Sequence, residues 1–116
     1  MDKFRPESFL PLTPVAFEIL LALADSERHG YSILQEVETR SGGAVSLHAG
    51  TLYRALARLL ESHLIEELDS PVRDDDERRR YYRLTTRGIA VARAEVGRLE
   101  GQLAAARTRR LLKGAR

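Results

Sequence analysis

Gly50 to Leu68 reads GTLYRALARLLESHLIEEL, and after eleven further residues the chain resumes with RYYRLTTRG, Arg80 to Gly88. In the first stretch Leu52, Ala55, Leu56, Leu59 and Leu60 recur at helical spacing and form one apolar stripe. Thr51, Arg54, Arg58 and Glu61 are left on the opposite face. Beyond Ser62 the period changes: Leu64 to Leu68 and Arg80 to Leu84 read as paired strands, with Tyr82 and Leu84 on one face and Tyr81 and Arg83 on the other. Helix, strand, long loop and returning strand, in that order, predict a winged helix-turn-helix. Its reader helix, roughly His48 to Ser62, would present the polar face to a DNA major groove.

Working outward, Thr13-Pro14 supplies an N-cap and a proline at the first helical position, opening a helix through VAFEILLALA to about Ala24. Glu18 is its one polar residue, so a face carrying Phe17 and Leu21 needs cover from the last helix or from a second subunit. Asp25 to Arg28 reads as a short polar turn, and His29-Gly30-Tyr31-Ser32 leads into a second helix with Ile33, Leu34 and Val37 as its apolar positions. Gly42-Gly43 ends it, and Ala44 to Leu47 is expected to form a short third strand.

Thr85 and Thr86 can cap a final helix, in which Ile89, Ala92, Val96, Leu99, Leu103 and Ala106 make an a/d seam of about two and a half heptads. Gly97 and Gly101 each cost roughly 1 kcal/mol in a helix interior, so this helix needs a packing partner. The seam predicts a homodimer. The expected organisation is an N-terminal arm over residues 1–11, a winged helix-turn-helix over 12–84 and a C-terminal dimerisation helix with a basic tail over 85–116. The fold class is mainly α.

The order LTPVAFEILLALA, HGYSILQEVE, GTLYRALARLLESHLIEE and RRRYYRLTTRG closely resembles the PadR family of transcriptional regulators over about residues 12–90, jointly specific where each motif alone is weak. A single short C-terminal helix matches the compact branch. The resemblance implies a homodimeric winged-helix repressor that binds double-stranded operator DNA, with small molecules as the effectors where the family has known ones. It also implies a phosphate or base contact for Tyr53. With no Trp to stack a planar ligand and only Phe4, Phe9 and Phe17 nearby, a small or absent effector pocket is expected here. Family members commonly carry a short Gly/Arg-rich wing tip, whereas this chain has SPVRDDDE at residues 70–77.

The candidate DNA contacts are His48, Thr51, Tyr53, Arg54 and Arg58 on the reader helix, Tyr31 at the start of the second helix, and Arg78, Arg79 and Arg83 in the wing. Each has a plain structural reading beside it. Arg54 and Arg58 suit a solvated helix face, Tyr53 a half-buried core, Thr51 a local cap and His48 a helix start. Tyr31 is either core with its hydroxyl exposed or a phosphate contact aided by the helix dipole. In the wing, alternation turns Arg80 inward toward an acidic partner and leaves Arg79 and Arg83 outward, next to the repelling cluster Asp74 to Glu77.

Charge alone does not point to DNA. Residues 1–84 hold 11 basic against 15 acidic residues, net −4, while residues 85–116 hold 8 against 2, net +6, so the basic excess lies outside the reader. The acidic body keeps a second reading open, a winged-helix protein-interaction module without sequence-specific DNA binding. No cysteine is present, which excludes disulfides, thiolate metal sites and thiol catalysis. His29, His48 and His63 lack metal-ligand spacing, and neither a phosphate-cradling loop nor a nucleophile elbow occurs. No catalysis, metal or cofactor is therefore expected. No run reaches the roughly 18 to 20 apolar residues that span a bilayer, and MDKFRPESFLPL lacks a signal-peptide pattern, so a soluble cytoplasmic protein without membrane insertion is expected.

Overall fold

The computed structural model describes residues 3–68 and 80–112. Thr13 opens helix α1, Pro14–Leu23, by accepting the Ala16 N–H on its hydroxyl at 3.1 Å. A short 3-10 turn, Pro6–Phe9, precedes it and packs on the last helix. Strand β1, Arg28–His29, runs directly into α2, Gly30–Arg40. Helix α3 spans Ala49–Glu61, β2 Ile65–Leu68, β3 Tyr81–Leu84 and α4 Thr86–Thr108.

The third strand is β1, so the expectations of a strand at Ala44 to Leu47 and of a plain turn through Arg28 are both corrected. The sheet order is β1-β3-β2 with both pairings antiparallel: Arg28 faces Tyr82, and Ile65 faces Leu84. From the sheet, the Arg28 side chain reaches α1, α2 and the turn between α1 and β1. Its Nε donates to the Ala22 carbonyl at the end of α1 at 2.7 Å, Nη1 donates to Ser32 Oγ in α2 at 3.2 Å, and Nη2 lies 3.4 Å from Asp25. A charge-assisted donor on an otherwise unsatisfied helix-end carbonyl is worth more than solvation in a turn.

Ile19, Leu20 and Leu23 of α1, Ile33 and Val37 of α2, Leu52, Leu56 and Leu59 of α3, Ile65 and Tyr82 of the sheet and Val91 of α4 make one core. Glu18, the lone polar residue of α1, pairs with Arg40 at the end of α2, and Glu36 holds the same guanidinium at 3.1 Å. Gly42 and Gly43 follow with φ of 64° and 87°, a left-handed conformation that glycine adopts without a Cβ clash.

Helix α4 is seated where α3 turns into β2. Thr85 donates its hydroxyl to the His63 carbonyl at 2.7 Å, its N–H donates to the Leu64 carbonyl at 3.1 Å, and its hydroxyl accepts the Gly88 N–H at 3.0 Å. Gly88 then lies directly on the Leu64 carbonyl, where a Cβ would collide with backbone. The face of α4 turned into its own chain is Gly88, Val91 and Glu95.

Candidate nucleic-acid interface

Helices α2 and α3 meet as a helix-turn-helix, and α3 divides its residues by face. Leu52 and Leu56 are buried, Leu59 is nearly so, and Tyr53, Arg54, Ala57, Arg58 and Glu61 are exposed. His48 occupies the N-cap position, but its side chain makes no capping bond and is exposed. Thr51 in the first turn is half-buried. Arg54 and Arg58 have no ion pair among the described residues. Arg58 also borders a cavity of about 190 Å³ between the N-terminal segment, α1 and α3, alongside Phe9, Leu12, Ala16 and Ala55.

The start of α2 adjoins this surface. His29 caps the helix through Nδ1, which accepts the Ser32 N–H at 3.1 Å, and its ring meets Tyr81 edge-on with centroids 5.3 Å apart. The Tyr53 hydroxyl lies against Gly30, the first residue of α2. Tyr31 is 59% exposed, so the reading of it as core is corrected: the helix turns Ile33 and Val37 inward and Tyr31 outward. Below them Tyr82 is buried, and burial pushes its phenol above the ordinary range, with Glu67 and Tyr53 acting in the same direction. Gly30, His29 and Arg28 were not among the sequence candidates. A glycine just inside a helix start is the signal that marks such a close approach.

In the wing, both described arginines, Arg83 in β3 and Arg80 just before it, meet carboxylates. Arg83 Nε donates to Glu66 at 2.6 Å with Glu27 3.7 Å away, and Arg80 donates to Glu67 at 2.7 Å. Arg80 finds the acidic partner anticipated for it but points outward, 70% exposed, because it lies just outside the paired strand. Arg78 and Arg79 lie outside the described residues.

The candidate dimer seam separates into two groups. Ala92 packs on the core, and Leu99 and Ala106 are half-buried, whereas Ile89, Val96 and Leu103 are exposed at heptad spacing. Leu21 of α1 is exposed and Phe17 half-buried. Glu95, inward on the same helix, is 2% exposed. It accepts two hydrogen bonds from Arg98, at 2.7 and 2.8 Å. Those bonds hold its carboxyl below the ordinary carboxylate range against the opposing effect of burial, and the Leu12 N–H adds to them. No helix among the described residues is long and apolar enough to cross a membrane. No group of acids and histidines among them is arranged to hold a metal.

Three packed helices, a two-stranded wing with a short third strand and a helix extending from the wing define a winged helix-turn-helix protein. Residues 19–94 match the transcriptional regulator PadR-like family, and the chain belongs to that family. Its fold is shared with a PadR family transcription regulator of Clostridium difficile at 24% identity and a TM-score of 0.72, over 83% of this chain and 97% of that one. RosR of H. salinarum is 30% identical with a TM-score of 0.62, over 84% of this chain and 79% of that one. An uncharacterised protein of Lysinibacillus sphaericus is 35% identical over 72 residues, 62% of this chain. The match spans 65% of that curated relative's length.

Proposed function

We propose that the protein is a dimeric, sequence-specific DNA-binding transcriptional regulator, acting as a repressor, with α3 as its reader. The observation that carries this reading is the division of α3. Its leucines are spent on the core, and Tyr53, Arg54 and Arg58 stand outward, the two arginines without carboxylate partners among the described residues. The other described arginines between residues 10 and 84, Arg28, Arg40, Arg80 and Arg83, are each paired with an acid. Cations kept free on a helix that fits a major groove suit phosphate and base-edge contact. The dimer reading rests on Ile89, Val96 and Leu103, an exposed apolar row on a long helix, with Leu21 exposed on α1. A small-molecule effector belongs to the same proposal.

The test is affinity for the DNA upstream of the protein's own gene against a random duplex, over a range of salt. Specific binding, a steep loss with salt and relaxed discrimination in Arg54→Ala, at a cost of about 1–3 kcal/mol, are the expected results. Absence of salt dependence and of discrimination would instead favour the protein-interaction module, a reading supported by the neutralised wing arginines. If a chain truncated after Ala106 loses operator binding while still dimeric, and Arg54→Ala changes nothing, the basic tail and not α3 is the contact. Sedimentation should give a dimer for the unmodified chain and a monomer for Val96→Asp with Leu103→Asp, since charge buried at an interface without a partner costs about 3–5 kcal/mol.

A further inference from the structure

Away from α3, the N-terminal segment and the first turn of α4 border an open pocket of about 320 Å³ lined by Lys3, Phe4, Arg5, Ser8, Phe9 and Arg87. Three of these side chains are cationic and none is acidic. Lys3, Arg5 and Arg87 form no ion pair among the described residues, in contrast to Arg28, Arg40, Arg80, Arg83 and Arg98. Arg87 is also at the wrong end of its helix. The positive end of the dipole disfavours a cation there, and the first turn of α4 holds no acidic residue to offset it. Its guanidinium is nevertheless held in place over the Phe4 ring, 4.6 Å from the centroid, and Phe4 in turn lies 5.8 Å from Phe9. Three unpaired cations lining one pocket beside an apolar wall make the local potential positive, which favours an anion there.

We propose that this pocket binds a small organic phosphate, with the phosphate among Lys3, Arg5 and Arg87 and the apolar part of the molecule against Phe4 and Phe9. A phosphate monoester carries close to two negative charges and three terminal oxygens, so it can meet three cations at once, where a carboxylate offers one charge and two oxygens. The occupant ties the N-terminal segment to α4, so binding raises thermal stability through the folded state. This site is separate from α3 and does not depend on the DNA reading.

Calorimetry on the full chain at low salt compares phenyl phosphate, inorganic phosphate and phenol. Phenyl phosphate should bind saturably and raise Tm, inorganic phosphate should bind about tenfold or more weakly, and phenol should not bind. Arg87→Gln should weaken phenyl phosphate by about tenfold, the scale of one lost charge-assisted contact. Phe4→Leu should narrow the gap between phenyl phosphate and inorganic phosphate. Arg107→Gln, on the exposed far end of α4, should leave all three unchanged. The proposal is overturned if phenyl phosphate gives no saturable heat, if Arg87→Gln binds it as the unmodified protein does, or if Arg107→Gln weakens it equally. It is also overturned if duplex DNA displaces phenyl phosphate and loses affinity in Arg87→Gln, because the cations would then serve the nucleic acid. DNA affinity measured without phenyl phosphate reports on α3 independently.

Discussion

Tyr53 of α3 lays its phenol against the backbone of Gly30 at the start of α2, with ring carbon Cζ 3.0 Å from where a Cβ on Gly30 would stand. Gly30→Ala is accommodated by the far end of a side chain that is 51% exposed, so the ring swings out and the fold persists. Thermal stability should stay within about 1 kcal/mol, because the helix gains alanine propensity as it loses the contact. Operator affinity, followed by fluorescence anisotropy, should fall, and Tyr53→Ala should lower it to the same extent. Equal affinity in Gly30→Ala and unmodified protein would mean that the position of Tyr53 has no part in binding.

Gly88 presents the opposite case, since what lies over it is the Leu64 carbonyl, backbone that cannot swing away. Gly88→Ala must push α4 off the α3–β2 turn, costing about 1–3 kcal/mol or more. Urea denaturation should show a lower midpoint with an unchanged slope. A midpoint equal to that of the unmodified protein would show that the turn at Leu64 yields easily.

Glu95 makes stability depend on acid. Hydrogen bonds from Arg98 lower its folded-state pKa below that of the unfolded chain, so its contribution is complete above the ordinary carboxylate range. The contribution disappears as pH falls through the lowered folded value. Glu95→Gln should cost about 1–3 kcal/mol at neutral pH, the scale of bonds to a buried charged group. Its Tm should approach that of the unmodified protein as the pH is lowered. Parallel Tm curves for the two proteins across the acid range would contradict this.

Glu66 and Glu67 hold the wing arginines at 2.6 and 2.7 Å. Replacing both with glutamine, together with Glu27, which lies 3.7 Å from Arg83, should tighten binding to operator and random duplex alike and steepen the salt dependence. Each arginine freed to meet one phosphate adds roughly −0.9 to the slope of log affinity against log salt. Titrations at several salt concentrations measure that slope. An unchanged slope would place the wing away from the phosphates.

The helices and the wing pair were legible because each rests on local signals: the Thr13-Pro14 start, the leucine stripe of α3, the alternation around Tyr82 and the threonine before α4. Neighbours along the chain are enough to specify these. The short strand β1 was not legible. Two residues carry no period, and the contacts that accompany the pairing of Arg28 with Tyr82, its guanidinium closing the end of α1 and touching α2, are tertiary. The faces of α3 followed from helical spacing alone, yet the outward turn of Tyr31 depended on which side of α2 met the core. Charge partners lay furthest from sequence. Arg83 meets Glu66 and Glu27 across the sheet, and Lys3, Arg5 and Arg87 converge only when the first residues fold back onto α4. Electrostatic pairing depends on distance in space, and residues far apart in the chain acquire that distance only when the core has formed.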